Sequence, residues 1–529
     1  MVATVVLYYE LYVQGAVATE IISYYRMTFT QFVVIFIAAL SAGALASIAA
    51  GVADRWGRAN IMVIGLFLSS VMVLFVLPHT TNKTEYLVAF AVLAAVEGVT
   101  LVVTPALVRD FSPQLGRASA MGFWILGPVL GSLTVTEVSS NTLASHPDWR
   151  FQYYICGIVG IIVAAIAFIG MRELSPGLRN QLMVSTKDRA LVEARAAGID
   201  RDEALTGNWR QILKLDILAP ALGFSLFMVL YLVLVGYIVV YFATVFGYSA
   251  ARANALGNWY WLTNAIALVI AGFASDKLRV RKPFMLLGTI IALVGTGFFA
   301  AMATESNTSY YTFALVLAVI AFGSAMIFAT WLAAYTETVE AHSPAATAKG
   351  MAVFSALLRV IYVGALIAFI FAMPATSTLV DQGPRTAEIV AAYPEQITTV
   401  TAVSPATLAA LQQNPADQTA GAEAVQQLIK ARLAADPQAA LDRLKQLGTQ
   451  PIPAADQEYL ASHVPGLQQA QKDSPHQWQR WWWICFACEA IFLPTLMVMR
   501  GRWNPARARV DAEEHEAKIQ HDLAKLQPS

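Results

Sequence analysis

The chain has 529 residues, of which 57% are hydrophobic and only 13% are charged. This composition excludes an ordinary soluble domain and indicates that most of the chain lies in lipid. Because the net charge is zero, no excess of either sign indicates nucleic acid or an anionic surface as a partner.

Twelve apolar stretches are long enough to cross a bilayer as helices, and we number them spans 1 to 12 in chain order. Spans 1 to 6 lie near residues 4–22, 30–51, 60–77, 86–108, 118–137 and 152–171. Spans 7 to 12 lie near residues 217–245, 252–274, 283–302, 310–335, 351–373 and 481–499. The pattern therefore predicts an all-α membrane protein.

The spans fall into two groups of six, which predicts two six-helix bundles at residues 1–171 and 216–500. A polar cytoplasmic connection at 172–215 joins them, and a cytoplasmic tail covers 501–529. Residues 374–479 form an insertion between spans 11 and 12, with helical spacing near 422–434 and 437–447. A tolerated surface insertion, a lid and a partner-docking segment are the alternatives for it.

Lys and Arg are concentrated in the connections after the even-numbered spans and in the tail. The short loops on the other side hold only Arg26, Lys83, Arg150 and Arg252. Since positive loops remain in the cytoplasm, both termini are expected there and the insertion is expected outside.

One charged loop occurs twice, each time between the second and third spans of a half. It reads Asp54-Arg55-Trp56-Gly57-Arg58 in the first half and Asp276-Lys277-Leu278-Arg279-Val280-Arg281 in the second. A duplication on this scale is a known plan for membrane carriers. An acid next to basic residues at a tight turn can pair in one conformation and separate in another.

This repeated loop resembles the signature GxxxDRxGR(R/K) of the major facilitator superfamily. The first copy departs from it with Ala50 at the first glycine, and the second has Arg279 at the later one. The resemblance covers nearly the whole chain apart from the insertion. It implies two helical bundles that alternate access to a central site.

The resemblance also implies a conformational gate on the cytoplasmic side. In the first half it consists of Asp54, Arg55 and Arg58 with Asp110 at the end of span 4, facing the helix that begins near Gly350. In the second half it contains Asp276 and Lys277. The alternative is that these charges only fix the topology, since surface ion pairs contribute little.

Span 5 carries Gly122, Gly127, Pro128 and Gly131 in the form GxxxxGPxxG, which resembles a motif of the superfamily's proton antiporters. Close packing of helices is the alternative explanation for these glycines.

Span 4 carries a second resemblance, to the organic anion and cation symporter branch of the superfamily. The residues are Glu97-Gly98-Val99-Thr100 and Pro105, before a loop that contains Pro113. The branch usually has an arginine seven residues before the acid, where this chain has Phe90. An anionic substrate is the expectation that follows.

Ionisable residues inside spans are rare and are functional candidates by default. Glu10 and Glu97 are candidates to carry a proton, because a low-dielectric cavity favours the neutral carboxyl group. Arg359 is a candidate to hold a substrate carboxylate, although a fixed ion pair with a glutamate is the alternative. Glu489 on span 12 is expected to be structural. The uncharged cavity candidates are Gln14, Tyr231, Asn258 and Trp331, followed by Tyr237, Tyr241, Trp259, Tyr260, Asn264 and Tyr335.

The sequence contains no GxxxxGK(S/T), HExxH or GxSxG motif, so neither ATP-driven nor hydrolytic chemistry is indicated. We therefore predict a transporter of a small organic solute in the plasma membrane, a monomer without cofactor or metal, that couples to protons by symport. A proton antiporter that exports drugs or metabolites is one alternative. A membrane sensor or scaffold on a carrier fold, which does not transport, is the other.

Overall fold

The computed structural model describes residues 1–48, 56–111, 117–172, 213–342, 347–414, 416–449, 451–510, 513–514 and 517. These residues form helices and connecting turns, and no β-strand occurs among them. The all-α fold class predicted from the apolar pattern is therefore confirmed.

Helices in the first part of the chain occupy spans 1 to 6. Span 1 is divided in two because the backbone at Val17 leaves the helical region, with φ −120° and ψ 28°. Span 3 ends in a π-helical turn and a 3₁₀ turn. The elements are α1 (Val2–Ala16), α2 (Ala18–Tyr24), α3 (Phe29–Ile48), α4 (Arg58–Val71), the π turn (Met72–Val76), the 3₁₀ turn (Leu77–His79), α5 (Lys83–Phe111), α6 (Arg117–Thr142) and α7 (Trp149–Gly170).

Helices in the second part occupy spans 7 to 12. Span 7 consists of two helices that meet at Met228, and span 12 is the last part of a long helix. The elements are α8 (Leu215–Phe227), α9 (Val229–Phe246), α10 (Ala250–Leu278), α11 (Lys282–Met302), α12 (Tyr310–Glu340), α13 (Thr347–Ala372) and, after the insertion, α19 (Ala454–Val498).

The chain divides into two compact units, one of Met1–Pro374 with Ser474–Ser529 and one of Ala375–Asp473. The smaller unit contains short helices around an apolar core that includes Leu428 and Ala440. Its helices are α14 (Pro374–Ala392), α15 (Pro394–Ala402), α16 (Pro405–Gln413), α17 (Gln418–Lys430) and α18 (Pro437–Thr449). The helical spacing seen near 422–434 and 437–447 thus corresponds to α17 and α18.

Nine stretches of the described residues are long and apolar enough to cross a membrane, and they coincide with spans 2, 3, 4, 6, 7, 9, 10, 11 and 12. Helices also occupy spans 1, 5 and 8. Span 1 falls short because α1 has only 15 residues. Helices α6 and α10 are long enough, with 26 and 29 residues, but carry many amide and hydroxyl groups.

Several pairs of helices join the two sets of six, among them α1 with α9, α3 with α13 and α6 with α10. Contact is closest near the end of the spans that the Lys and Arg distribution places outside. A side chain on Gly15 would collide with the carbonyl oxygen of Val235. Asn254 donates a hydrogen bond of 2.9 Å to the carbonyl oxygen of Ala16. Small residues and buried amides therefore hold the two sets together at this end.

Candidate functional site

Glu10 lies inside the first helical bundle, where α1 faces α4 and α7. Its side chain is fully buried, and Ser70 donates a hydrogen bond of 2.6 Å to Glu10 Oε1. A Cβ atom on Gly160 would collide with the same oxygen, so only glycine leaves room for it. Glu10 Oε2 has no hydrogen-bond partner. The structure therefore holds a carboxyl group with one free oxygen between spans 1, 3 and 6.

Glu97 on α5 is the second acid of this bundle. It is fully buried and neither of its carboxyl oxygens has a hydrogen-bond partner. Its charge and that of Glu10 act on each other. Next to it, Gly98 allows α5 to approach the backbone of Gly43 on α3, where any Cβ would collide. We call Glu10 and Glu97 the acid pair.

Gln14 lies one helical turn after Glu10 and on the same face of α1. It is fully buried, and both amide atoms lack a hydrogen-bond partner. A buried amide without partners is costly, because its groups have left water without replacement. The face of α1 toward the acid pair is thus polar and incompletely satisfied.

The opposite face of α1 carries Tyr8 and Tyr12, which are also one turn apart. Tyr231 on α9 donates a hydrogen bond of 3.2 Å to the hydroxyl of Tyr12. The charges of Tyr231 and Tyr260 both act on Tyr362 of α13, which places these residues together. We call Tyr8, Tyr12, Tyr231, Tyr260 and Tyr362 the tyrosine cluster.

The tyrosine cluster is assembled from both helical bundles. The rings of Tyr8 and Tyr12 lie 5.5 Å apart, and those of Tyr12 and Tyr231 lie 6.5 Å apart edge to face. Trp261 joins the cluster, 5.5 Å from Tyr231 and 4.6 Å from Tyr260. Tyr8, Tyr12 and Tyr231 are only half-buried although they lie in the middle of the spans. The cluster is therefore a group of aromatic rings and hydroxyls to which both bundles contribute, and part of its surface is accessible.

Arg359 on α13 lies beside the tyrosine cluster and is also half-buried. The charges of Arg359 and Glu97 both act on the Tyr8 hydroxyl, with opposite sign. Tyr8 is thus coupled electrostatically to a cation of the second bundle and to one acid of the first. This arrangement brings three sequence-predicted residues together: Glu97, Tyr231 and Arg359.

Two other predicted cavity residues lie elsewhere. Asn258 is at the contact between α10 and α6, where it donates to Glu137 at 2.7 Å and to Ser140 at 3.1 Å. Trp331 is fully buried in an apolar core, stacked on Phe224 with ring centroids 4.0 Å apart. Asn258 therefore joins the bundles, and Trp331 packs within the second one.

Sequence reasoning did not select Tyr8, Tyr12 and Tyr362. The uncharged candidates predicted from the sequence include Tyr231 and Tyr260 of the second half, but no tyrosine of span 1 or span 11. The available signal was the four-residue spacing of Tyr8 and Tyr12, which places two hydroxyl groups on one face of an otherwise apolar span.

The glycines of the span 5 motif pack against span 1. A Cβ on Gly131 would lie 2.6 Å from Tyr8 Cβ, and one on Gly127 would lie 2.5 Å from Thr4 Cγ2. Pro128 lies between them within α6, and Gly122 lies closer to its start. The motif therefore brings α6 against α1, which carries Glu10, Tyr8 and Tyr12.

The first copy of the charged loop is described only in part. Asp54 and Arg55 lie outside the described residues, as does the side chain of Asp110. Gly57 has φ 94°, a left-handed conformation that glycine adopts without steric cost. Arg58 then begins α4 and is mostly buried, with 9% of its surface exposed.

The second copy forms a charge cluster at the end of α10. Arg281 bonds Asp276 at 2.5 Å and also reaches Glu337 of α12 at 3.3 Å. Arg279 has φ 54° and occupies the position that Gly57 has in the first copy. Lys277 is exposed. The guanidinium group of Arg281 therefore connects the loop to span 10.

No group of three or more His, Cys, Asp or Glu side chains is placed to hold a metal ion in the part of the chain that the structure describes. Cys156, Cys485 and Cys488 are free thiols.

The family model described as Major Facilitator Superfamily matches residues 1–363. The match begins in span 1 and ends in span 11, so it includes the acid pair, the tyrosine cluster and Arg359. The resemblance predicted from the charged loops is thereby confirmed.

Curated relatives match over shorter stretches. Efflux pump radE of Floropilus chiversii is 25% identical over 189 residues, which cover 36% of this chain and 31% of that protein. Sialin of Ovis aries is 24% identical over 261 residues, covering 47% of this chain and 52% of Sialin. The chain thus spans about a third to a half of the length of these relatives.

A solved structure is similar over nearly the full length. It is a bacterial homologue of the human lysosomal transporter Spinster in an inward-facing, unoccupied conformation. The TM-score is 0.56 at 17% identity, with 95% of this chain and 97% of that chain covered. At this identity the similarity concerns the fold.

Proposed function

The chain belongs to the major facilitator superfamily and is therefore an integral membrane transporter, and from this premise we propose that it carries a small organic anion together with protons. The observation that carries the proposal is the position of Tyr8, on which the charges of Glu97 and Arg359 both act. Arg359, as the cation for the substrate, and Glu97, as the acid for the proton, then form one electrostatic unit with the Tyr8 hydroxyl. Transport proceeds by alternating access of the two bundles to this unit.

Arg359 provides the anchor for the substrate. It is the one cation among the described residues whose charge acts on the tyrosine cluster. A guanidinium group binds a carboxylate through two parallel hydrogen bonds, and phenol hydroxyls can donate to the same anion. The surrounding rings supply apolar contact for the remainder of a small solute.

The acid pair provides the proton site. Both carboxyl groups are fully buried, and no cation bonds either of them in the described part of the chain. Two neighbouring carboxylates without a counter-ion cannot both remain ionised, so one proton is shared or held between them. Because Glu97 also acts on Tyr8, a change in the protonation of the pair alters the potential at the anion site.

The charged loops act as the cytoplasmic gate. The bonds from Arg281 to Asp276 and Glu337 stabilise the arrangement described here and must open for the loop to move relative to span 10. Asp54, Arg55, Arg58 and Asp110 are assigned the same role in the first half because their sequence pattern is repeated. The Lys and Arg distribution favours an orientation with both termini in the cytoplasm, and we assign the protein to the plasma membrane.

The experiment is a flux screen in proteoliposomes with an imposed pH gradient. Small organic anions should accumulate when the proton gradient is directed inward and should stop accumulating when a protonophore is added. The Glu97→Gln variant should lose this response, whereas Glu20→Gln, near the outer end of span 1, should keep it. If anion uptake by the unsubstituted chain does not depend on the pH gradient, proton symport is refuted.

Antiport is the second candidate, because the name of the Floropilus chiversii relative denotes an efflux pump and because span 5 carries the GxxxxGPxxG pattern. An antiporter would accumulate lipophilic cations in the same vesicles under the opposite gradient. Testing both solute classes under both gradients separates the two functions.

A further inference from the structure

Glu489 is a buried acid outside the site described above. It lies on α19 in span 12 and is fully buried. Thr296 of α11 donates a hydrogen bond of 3.2 Å to Glu489 Oε1. Glu489 Oε2 has no hydrogen-bond partner. The carboxyl group is thus held on one oxygen and free on the other, inside the second helical bundle.

Among the residues that the structure describes, none is a counter-ion to Glu489. The titratable groups on which its charge acts are Cys485 and Cys488 on its own helix and Tyr260 on α10. Apart from Thr296, no described residue donates a hydrogen bond to Glu489, and no described Lys, Arg or His forms an ion pair with it. Thiols and a phenol do not balance a carboxylate.

An ionised carboxylate is unfavourable at this buried position, because it has lost its hydration and accepts a hydrogen bond from only one neutral donor. The neutral form needs no counter-ion. The hydroxyl hydrogen of Thr296 points at Oε1, so the position left for a proton is Oε2. A merely structural hydrogen-bond acceptor at this position would be served equally by glutamine.

We propose that Glu489 is a proton-binding site in the second bundle, separate from the acid pair, and that its protonation is sensed at the tyrosine cluster. Tyr260 is the link: it is buried on α10, its ring lies 4.6 Å from that of Trp261 beside the cluster, and the charge of Glu489 acts on it. The inference deepens the proposed function, on which its role in coupling rests. An anion bound at the cluster favours the protonated form of Glu489, and protonation of Glu489 favours the anion to the same extent.

The test is infrared spectroscopy of the purified full-length chain, titrated across neutral pH without substrate or membrane gradient. Protonated carboxyl groups have a C=O stretching band that carboxylates lack. We expect one component of this band to be absent from Glu489→Gln and present in Glu10→Gln and Glu97→Gln. In Thr296→Val, which keeps the side-chain shape and removes the donor, the component should remain and shift in frequency.

A tyrosine ring vibration in the same spectra reports the link to the cluster. It should change with the midpoint of the Glu489 carboxyl band and should lose that change in both Glu489→Gln and Tyr260→Phe. If Glu489→Gln leaves the carboxyl band unaltered at every pH, the proton site is refuted. If the tyrosine signal still titrates in Glu489→Gln, the link is refuted. Neither result depends on transport, so failure of the proposed function would be recognised separately.

Discussion

The two halves of this transporter share a scaffold and differ in their charges. Each half places a buried carboxyl group on a hydroxyl of its own third span, Glu10 on Ser70 in the first and Glu489 on Thr296 in the second. The first half adds a second acid, Glu97, whereas the second half adds a cation, Arg359. The difference teaches that the duplication kept the helices while the chemistry diverged.

The backbones of the two charged loops also combine a similarity with a difference. Gly57 and Arg279 occupy matching positions and both have positive φ, at 94° and 54°. Only the first copy uses the residue type that adopts this conformation without steric cost. The ψ angles differ, at 131° for Gly57 and 30° for Arg279, so the two copies share a positive φ but not the same backbone conformation.

Removing the cation of the second half should have the largest effect. Arg359→Ala is expected to weaken binding of a carboxylate by about 30-fold or more, because loss of a charged hydrogen-bonding partner costs roughly 2–5 kcal/mol. Saturable uptake in proteoliposomes measures it. Arg359→Lys keeps the charge and loses the planar pair of donors, so it should retain weak uptake. Equal uptake by the alanine variant would contradict the anchoring role.

Neutralising a carboxyl group of the acid pair tests the charges of the first half. With Glu97→Gln, accumulation driven by a gradient of one pH unit should fall from about tenfold to none, since one unit is worth about 1.4 kcal/mol per proton. Exchange of labelled for unlabelled solute should continue. Glu10→Gln should act in the same direction. If both variants keep the pH response of the unsubstituted chain, the acid pair has no part in coupling.

Substituting Gly131 tests how far the close packing of α6 against α1 depends on a small residue. Gly131→Ala places a Cβ 2.6 Å from Tyr8 Cβ and 2.9 Å from the carbonyl oxygen of Val5. We expect the free energy of unfolding to fall by roughly 1–3 kcal/mol, as overpacking usually costs. Thermal unfolding in detergent measures it. The matched control is Gly364→Ala on α13, where the new atom meets nothing within 4 Å, and a loss of equal size there would contradict the packing argument.

Restoring glycine in the second loop should give a smaller effect of opposite sign. Arg279→Gly removes a left-handed conformation that costs about 1 kcal/mol in other residues. The same thermal unfolding experiment should show a slight stabilisation. Gly57→Ala, which places a side chain at the positive φ of the first loop, should show a slight destabilisation, and two shifts of the same sign would contradict this role of φ in the two loops.

The weakest expected effect is at the ion pairs of the second loop. Asp276→Asn removes a partner of Arg281 at a half-exposed site, where such pairs contribute roughly 0.2–1 kcal/mol. Transport rate should change by a small factor that shrinks as salt is added. Lys277→Gln changes the neighbouring exposed charge and should leave the rate unaltered. If both variants change the transport rate equally, the loop charges fix the topology and do not act as a gate.

The sequence alone determined the fold class and the repeat. Apolar stretches of sufficient length predict helices at each of the twelve positions, because backbone groups in lipid must bond within the segment. The loops around Asp54 and Asp276 indicated the superfamily. The rare charges in the spans indicated Glu10, Glu97 and Arg359, since each such charge is costly enough to require a reason.

Tertiary structure decided which of these groups meet. Periodicity places Tyr8 and Glu10 on different faces of α1, but it does not state which face turns to the other bundle. Helix rotation and packing settle that, and they direct Tyr8 to Arg359 and Glu10 to Ser70. The tyrosine cluster draws on four spans that are distant in sequence, so no local pattern contains it. Side-chain charge can be read from a chain, whereas its neighbours depend on how whole helices fit together.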